Sequence, residues 1–153
     1  MKLMSEIYRD FINVLETNID DSTGESLGFV SEILFKNGAK DVFYTPIYMK
    51  KNRPAYKLTV LCKDEAVENM ENLIFKHTTT IGIRKRREER VCLKRNIELV
   101  ETNYGSVKAK TVIVDGEKRF YPEFDSVREI AVKNDINIDD VYTAVKSVSK
   151  SKL

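Results

Sequence analysis

Asp41-Val42-Phe43-Tyr44-Thr45-Pro46-Ile47-Tyr48-Met49, Lys50-Lys51-Asn52-Arg53-Pro54-Ala55 and Tyr56-Lys57-Leu58-Thr59-Val60-Leu61-Cys62 form two strand-like runs joined by a basic turn. Val, Ile, Phe, Tyr and Thr fit a pleated, half-buried surface, so both flanking runs read as strands. Pro54 disfavours helix at Arg53 and fixes the exit of the turn, which makes the pair a hairpin. Pro46 has no amide to donate, so its strand lies at a sheet edge or carries a bulge.

On the N-terminal side of this hairpin, Phe11 to Asn18 reads as a first strand, with Phe11, Ile12, Val14 and Leu15 apolar. Ser22-Thr23-Gly24-Glu25 has the S-x-x-E pattern of a capping box. Leu27, Val30, Ile33 and Leu34 then recur at helical spacing through Lys36, and Asn37-Gly38 stops the helix. On the C-terminal side, Asp64 is the expected N-cap of a helix that turns Val67, Met70, Leu73 and Ile74 inward. Three β-branched residues, Thr78, Thr79 and Thr80, end that helix, and a fourth strand starts at Ile81. The order βαββαβ predicts an α+β, ferredoxin-like sandwich: an antiparallel sheet with two helices on one face.

Beyond it, Ile97–Asn103 and Val107–Val114 flank Tyr104-Gly105-Ser106 as a C-terminal β-hairpin. Two helices follow. The first opens at Pro122-Glu123 with Val127, Ile130 and Ala131 inward, and breaks at Asn134 to Asn137. The second starts at Asp139 or Asp140 and turns Val141, Ala144, Val145 and Val148 inward, with fraying expected from Lys150 to Leu153. The expected organisation is an N-terminal extension (1–10), a ferredoxin-like domain (11–95) and a hairpin with helices (96–153), packed as one compact body.

The 153 residues suffice for one domain with a real core, and 42% hydrophobic with 33% charged residues is the mix of a soluble globular protein. No apolar run reaches membrane-spanning length, and Met1 to Asp10 lacks the apolar stretch of a secretory signal. A cytoplasmic protein with no membrane partner is expected. Cys62 and Cys92 lie in separate strand-like segments without CxxC spacing, so reduced structural thiols are expected. The net charge of +2 excludes a histone-like polyanion binder, yet Arg84 to Arg95 holds seven cations against Glu88 and Glu89.

The turn carrying Lys50, Lys51 and Arg53 offers compact donors for an anion such as phosphate or carboxylate, or is simply a solvated basic tip. Glu16-Thr17-Asn18-Ile19-Asp20-Asp21 places carboxylate and amide oxygens where a hard cation such as Mg²⁺ could bind. The same acids suit a helix N-terminus, and spacing alone favours that simpler role. Thr79, Thr80, Gly82 and Arg84 form a second candidate ligand-facing segment, with a plain helix-to-strand transition as the alternative. Walker, GxGxxG, Ser/His/Asp and HExxH patterns are absent. His77, the single histidine, falls at a predicted helix end, where a cation complements the dipole.

These segments occur in a definite order: Glu16–Asp21, Asp41–Pro54, Leu58–Cys62, Thr78-Thr79-Thr80-Ile81-Gly82-Ile83-Arg84, Tyr104-Gly105 and Tyr121-Pro122-Glu123. Together they resemble the C-terminal domain of LarC-type nickel insertion proteins, over nearly the whole chain. The resemblance implies part of a CTP-dependent cyclometallase, of the lyase or chelatase type. Such an enzyme inserts Ni²⁺ into pyridinium-3,5-bisthiocarboxylic acid mononucleotide, completing the nickel-pincer nucleotide cofactor of lactate racemase. It further implies that this domain binds CTP with Mg²⁺ or Mn²⁺, and that nickel is handled at least partly by a His-rich N-terminal part, in the same protein or a separate chain. One His and two separated Cys give this chain little soft-ligand capacity of its own.

Carried onto these residues, the resemblance implies that Lys50, Lys51 and Arg53 contact phosphates, with Asn52 on a phosphate or base edge. It implies Asp20 and Asp21 around the cation's waters, and Thr79, Thr80 and Arg84 completing the pocket. Gly24 departs from the family's usual Pro at the helix start, which removes no chemical group. A homo-oligomer is expected. Two other readings remain: an RNA-binding ferredoxin-like module using the Arg84–Arg95 run, and a structural oligomerisation domain. RNP-type aromatics are lacking and Glu88, Glu89, Glu98 and Glu101 interrupt the basic surface, so nucleic acid is the less favoured partner.

Overall fold

The computed structural model describes residues 7–150. Its elements are β1 (Ile7–Ile19), α1 (Gly24–Lys36), β2 (Asp41–Met49), β3 (Arg53–Cys62), α2 (Val67–His77), β4 (Arg84–Leu93), β5 (Asn96–Thr102), β6 (Gly105–Val114), β7 (Glu117–Pro122), α3 (Phe124–Asn134) and α4 (Ile138–Lys150). They form two compact units, Arg9–Arg90 and a second that holds Val91 onward with the start of β1. The fraying expected at the C-terminus falls mainly on 151–153, outside the described residues, as do residues 1–6 of the expected extension.

The first unit has the sheet order β2-β3-β1-β4, the arrangement of a ferredoxin-like sandwich. β3 runs antiparallel to both neighbours, with Leu15 opposite Val60 and Val42 opposite the same residue on the other side. Strand alternation sends Leu15, Ile19, Val42, Leu58, Val60 and Cys62 to one face. There they meet Leu27, Val30 and Leu34 of α1 and Met70 and Ile74 of α2 in a single core. Pro46 sits on β2, which is an edge strand, so its missing donor costs no ladder bond on the open side. Cys62 is buried in this core, which pushes its thiol pKa up and makes it inert.

Several local expectations shift. Strand β1 starts at Ile7 rather than Phe11. The cap of α1 is Thr23, whose hydroxyl accepts from the Ser26 amide at 3.2 Å, one residue on from the expected Ser22. Asp64 does not cap α2. It lies in a 3-10 turn, and its carboxylate accepts from Arg87 and, at 2.6 Å, from Asn13, which in that order hold its pKa below the usual range. β4 begins at Arg84, not Ile81; residues 78–83 instead form a loop on which Ile81 is fully exposed.

In the second unit the expected hairpin gains a third strand, giving the order β5-β6-β7. Asp115 and Gly116 both have positive φ, 53° and 85°, the conformation of a two-residue hairpin turn. Gly105 holds φ 128°, with Ile130 Cδ1 only 3.0 Å from where a Cβ would stand, so Gly is required there. Val100, Val107 and Ala109 pack against Val127 and Ala131 of α3 and Val141 and Val145 of α4. Helix α4 starts at Ile138, just ahead of the expected Asp139 or Asp140, and Asn137 caps it: its side-chain oxygen accepts from the Asp139 amide at 2.9 Å. Among the described residues no helix is long and apolar enough to cross a membrane.

Candidate anion and cation site at one end of the sheet

Because β1 and β3 are antiparallel, the end of β1 lies beside the tip of the β2–β3 hairpin. The loop between α2 and β4 reaches the same end. This topology gathers three segments far apart in sequence, and side-chain bonds tie them together. Arg53 Nη1 donates to Asp20 Oδ2 at 3.3 Å. The Thr79 hydroxyl donates to the Asp21 carboxylate. Arg84 Nη2 donates to Asn18 Oδ1 at 2.7 Å. The Thr80 hydroxyl meets the hydroxyl of Thr17. Every residue proposed for the site from sequence is therefore at this end, with Lys50, Lys51 and Asn52 at the hairpin tip.

The tip is a tight three-residue turn, Lys50–Asn52. Lys51 and Asn52 both adopt left-handed backbone, φ 63° and 55°. Asn tolerates this region, but for a Lys it costs roughly 1 kcal/mol or more, so the turn holds its cations at the expense of local strain. Lys50, Lys51 and Arg53 are exposed, and among the described residues Arg53 alone of the three is drawn toward an acid. Lys50 and Lys51 remain available to an incoming anion.

Two carboxylates, Asp20 and Asp21, flank these cations. Mg²⁺ is commonly held by one or two carboxylates plus substrate phosphates and retained waters, so a pair of this kind fits such an ion. Among the described residues no group of three or more His, Cys, Asp or Glu is arranged to hold a metal. His77, at the last turn of α2, instead makes an edge contact with Phe29 at 5.9 Å between ring centroids.

Glu16 is a feature the sequence reading did not resolve beyond its place in an acidic segment. It is 8% exposed on β1 and receives Arg86 Nη1 at 2.8 Å and Lys57 Nζ at 2.9 Å. The Arg86 bond first, and then Lys57, lower its pKa to about 2. A carboxyl whose folded pKa lies below its unfolded value of 4.5 adds stability above pH 4.5, and that contribution disappears as pH falls through 2. With Arg86 half exposed, the full shift overstates the effect, and Glu16→Gln is expected to cost about 2 kcal/mol at pH 7. Urea titrations of both proteins should converge near pH 2; a constant gap across pH would show that packing, not charge, holds Glu16.

The basic run of β4 is largely neutralised within the first unit. Lys85 pairs with Glu71, Arg86 with Glu16 and Glu88, Arg87 with Asp64, and Arg90 with Asp10. Arg90 and Lys63 hold the Asp10 carboxyl well below the usual range. Arg87 also lies over the Phe11 ring, 3.9 Å from its centroid. A strand that reads as a polyanion-binding stripe is thus a salt-bridged element of the sheet.

Residues 2–142 match the family model described as nickel insertion protein. The chain is 53% identical over 133 residues to a pyridinium-3,5-bisthiocarboxylic acid mononucleotide nickel insertion protein of Alkaliphilus metalliredigens, covering 87% of this chain and 32% of the relative. A protein of the same name from Acetivibrio thermocellus is 46% identical over 136 residues, covering 89% and 33%. The chain spans about a third of the length of these curated relatives. Among solved structures, LarC2, the C-terminal domain of a cyclometallase involved in synthesis of the NPN cofactor of lactate racemase, superposes with a TM-score of 0.87. It is 38% identical, and the match covers 94% of this chain and 99% of that domain. A protein of Methanopyrus kandleri AV19 has a TM-score of 0.64 at 25% identity, with 92% and 89% covered.

Proposed function

The chain belongs to the nickel insertion protein family, and from that premise we propose that it is the CTP- and divalent-cation-binding part of a nickel insertase. The observation that carries this reading is the convergence of exposed cations, paired acids and threonine hydroxyls at one end of the first sheet. In it, Lys50 and Lys51 bind phosphates as point charges, and Asn52 donates to a phosphate or a base edge. Arg53 exchanges its bond to Asp20 for a phosphate, which leaves Asp20 and Asp21 to orient the waters around Mg²⁺ or Mn²⁺. A bound divalent cation supplies charge neutralisation between adjacent phosphates. Thr79, Thr80 and Arg84 border the pocket and keep the loop against the acids.

Nickel enters this scheme as the metal inserted into pyridinium-3,5-bisthiocarboxylic acid mononucleotide, the substrate in the names of the curated relatives. With no soft-ligand cluster among the described residues, the nickel ligands fall to an N-terminal part, in the same protein or a separate chain. A second copy of this chain and a cytoplasmic setting complete the proposed partners. The RNA-binding reading gains little from β4, where Lys85, Arg86, Arg87 and Arg90 already face carboxylates.

Calorimetric titration with CTP, ATP, GTP and UTP, with and without Mg²⁺ or Mn²⁺, tests the reading. Cation-dependent, CTP-selective binding is the expected result. Absence of nucleotide binding would remove the nucleotide role and leave an assembly domain.

A further inference from the structure

Thr17 lies on β1 between Leu15 and Ile19 on the helix-facing side of the sheet, opposite Leu58, and is 1% exposed. A hydroxyl in an apolar row is unfavourable unless its hydrogen bonds are made, and valine would fill the same volume without that requirement. Among the described residues, the side-chain bonds of Thr17 all go to the α2–β4 loop. Thr17 Oγ1 lies 2.9 Å from the Gly82 carbonyl and in hydrogen-bond contact with Thr80 Oγ1. Thr80 Oγ1 is in turn 3.0 Å from the same carbonyl and accepts from the Gly82 amide at 3.4 Å.

The loop needs this anchor. Residues 78–83 belong to no helix or strand, Ile81 is fully exposed, and a Cβ at Gly82 would meet nothing within 4 Å. Ile83 at the end of the loop packs against the core, but around Ile81 and Gly82 hydrophobic packing does little to fix its course. Yet the loop presents Thr79 to Asp21 and leads directly into Arg84.

We propose that Thr17 is a positioning residue of the anion and cation site: through Thr80 and Gly82 it sets the conformation in which Thr79 and Arg84 meet a ligand. This rests on the nucleotide-binding reading above. It gives Thr80 its part through an inward bond, since the hydroxyl faces Thr17 and Gly82. Thr17→Val should leave the melting midpoint near that of the parent, because the methyl groups fill the row between Leu15 and Ile19. It should weaken binding of CTP with Mg²⁺ by about tenfold, the scale of one hydrogen bond transmitted to the site, and speed amide exchange at Thr79–Ile83. Thr17→Ser, which keeps the hydroxyl, should restore both.

Parent-like CTP affinity and exchange in folded Thr17→Val would overturn the proposal while leaving the nucleotide reading intact. Parent protein that binds no nucleotide would overturn the reading and the proposal together. If Thr17→Val fails to fold, Thr80→Val cuts the same contact from the loop side, and unchanged exchange at Thr79–Ile83 in that variant overturns the proposal. Where both single variants fold, the loss in the double variant should fall short of the sum of the two single losses, because both remove the Thr17–Thr80 contact; strictly additive losses would again overturn it.

Discussion

Replacing Lys50 and Arg53 together with alanine is expected to lower CTP affinity by at least about a hundredfold, because two charge-assisted hydrogen bonds to phosphate are worth about 3 kcal/mol or more in sum. Stability should hardly change. Both side chains are exposed, and the one bond lost within the protein, Arg53 to Asp20, is a 3.3 Å contact with Arg53 55% exposed. Exposed pairs of this kind contribute about 1 kcal/mol at most, and the strained positions of the turn, Lys51 and Asn52, are untouched. Calorimetry on the double variant, with a thermal melt as control, separates the outcomes. Unaltered affinity with an unaltered melt removes the phosphate role from the turn.

Leu15→Ala acts on the fold instead. Leu15 is fully buried at the middle of β1, faces Val60 across the ladder and belongs to the core shared with α1 and α2. Strands hydrogen-bonded on both sides cannot easily close over a hole, so the cavity persists and the cost lies toward the upper part of the usual range, about 4 kcal/mol. For a domain of this size that lowers the melting midpoint by more than about 10 °C. Denaturant unfolding checks it: a loss under 1 kcal/mol would mean that the sheet relaxes far more than its register implies.

The ferredoxin-like unit was legible because its strands and helices keep distinct periods. Alternation around the Asp41–Cys62 hairpin and helical spacing at Leu27, Val30 and Leu34 agree with the observed burial. Topology then accounts for the meeting of Asp20, Arg53 and Thr79, which no local pattern specifies. Less legible was β7, whose Glu117, Lys118 and Arg119 are exposed and hide the alternation, although Asp115-Gly116 is a strong turn signal. Thr23 replaced Ser22 as cap because either hydroxyl suits a helix start, and only backbone geometry chooses between them. Asp64 reads as a cap locally, yet a guanidinium 23 residues away claims its carboxylate. The clamp on Glu16 was hidden for the same reason, since its partners Lys57 and Arg86 come from two other strands.

The bond from Arg84 to Asn18 spans 66 residues and that from Thr79 to Asp21 spans 58. Contacts this distant along the chain close late, after much of the loop entropy has been lost. The proposed ligand pocket would consequently act as a proofreader of its own assembly. On that reading, a nascent or clipped chain that lacks β4 has the basic hairpin but neither Arg84 nor the strand that holds the 78–83 loop in place, and would bind nucleotide poorly. Bound ligand, in turn, would brace the first and last strands of the unit as a single clasp, slowing the opening that exposes a chain to proteases.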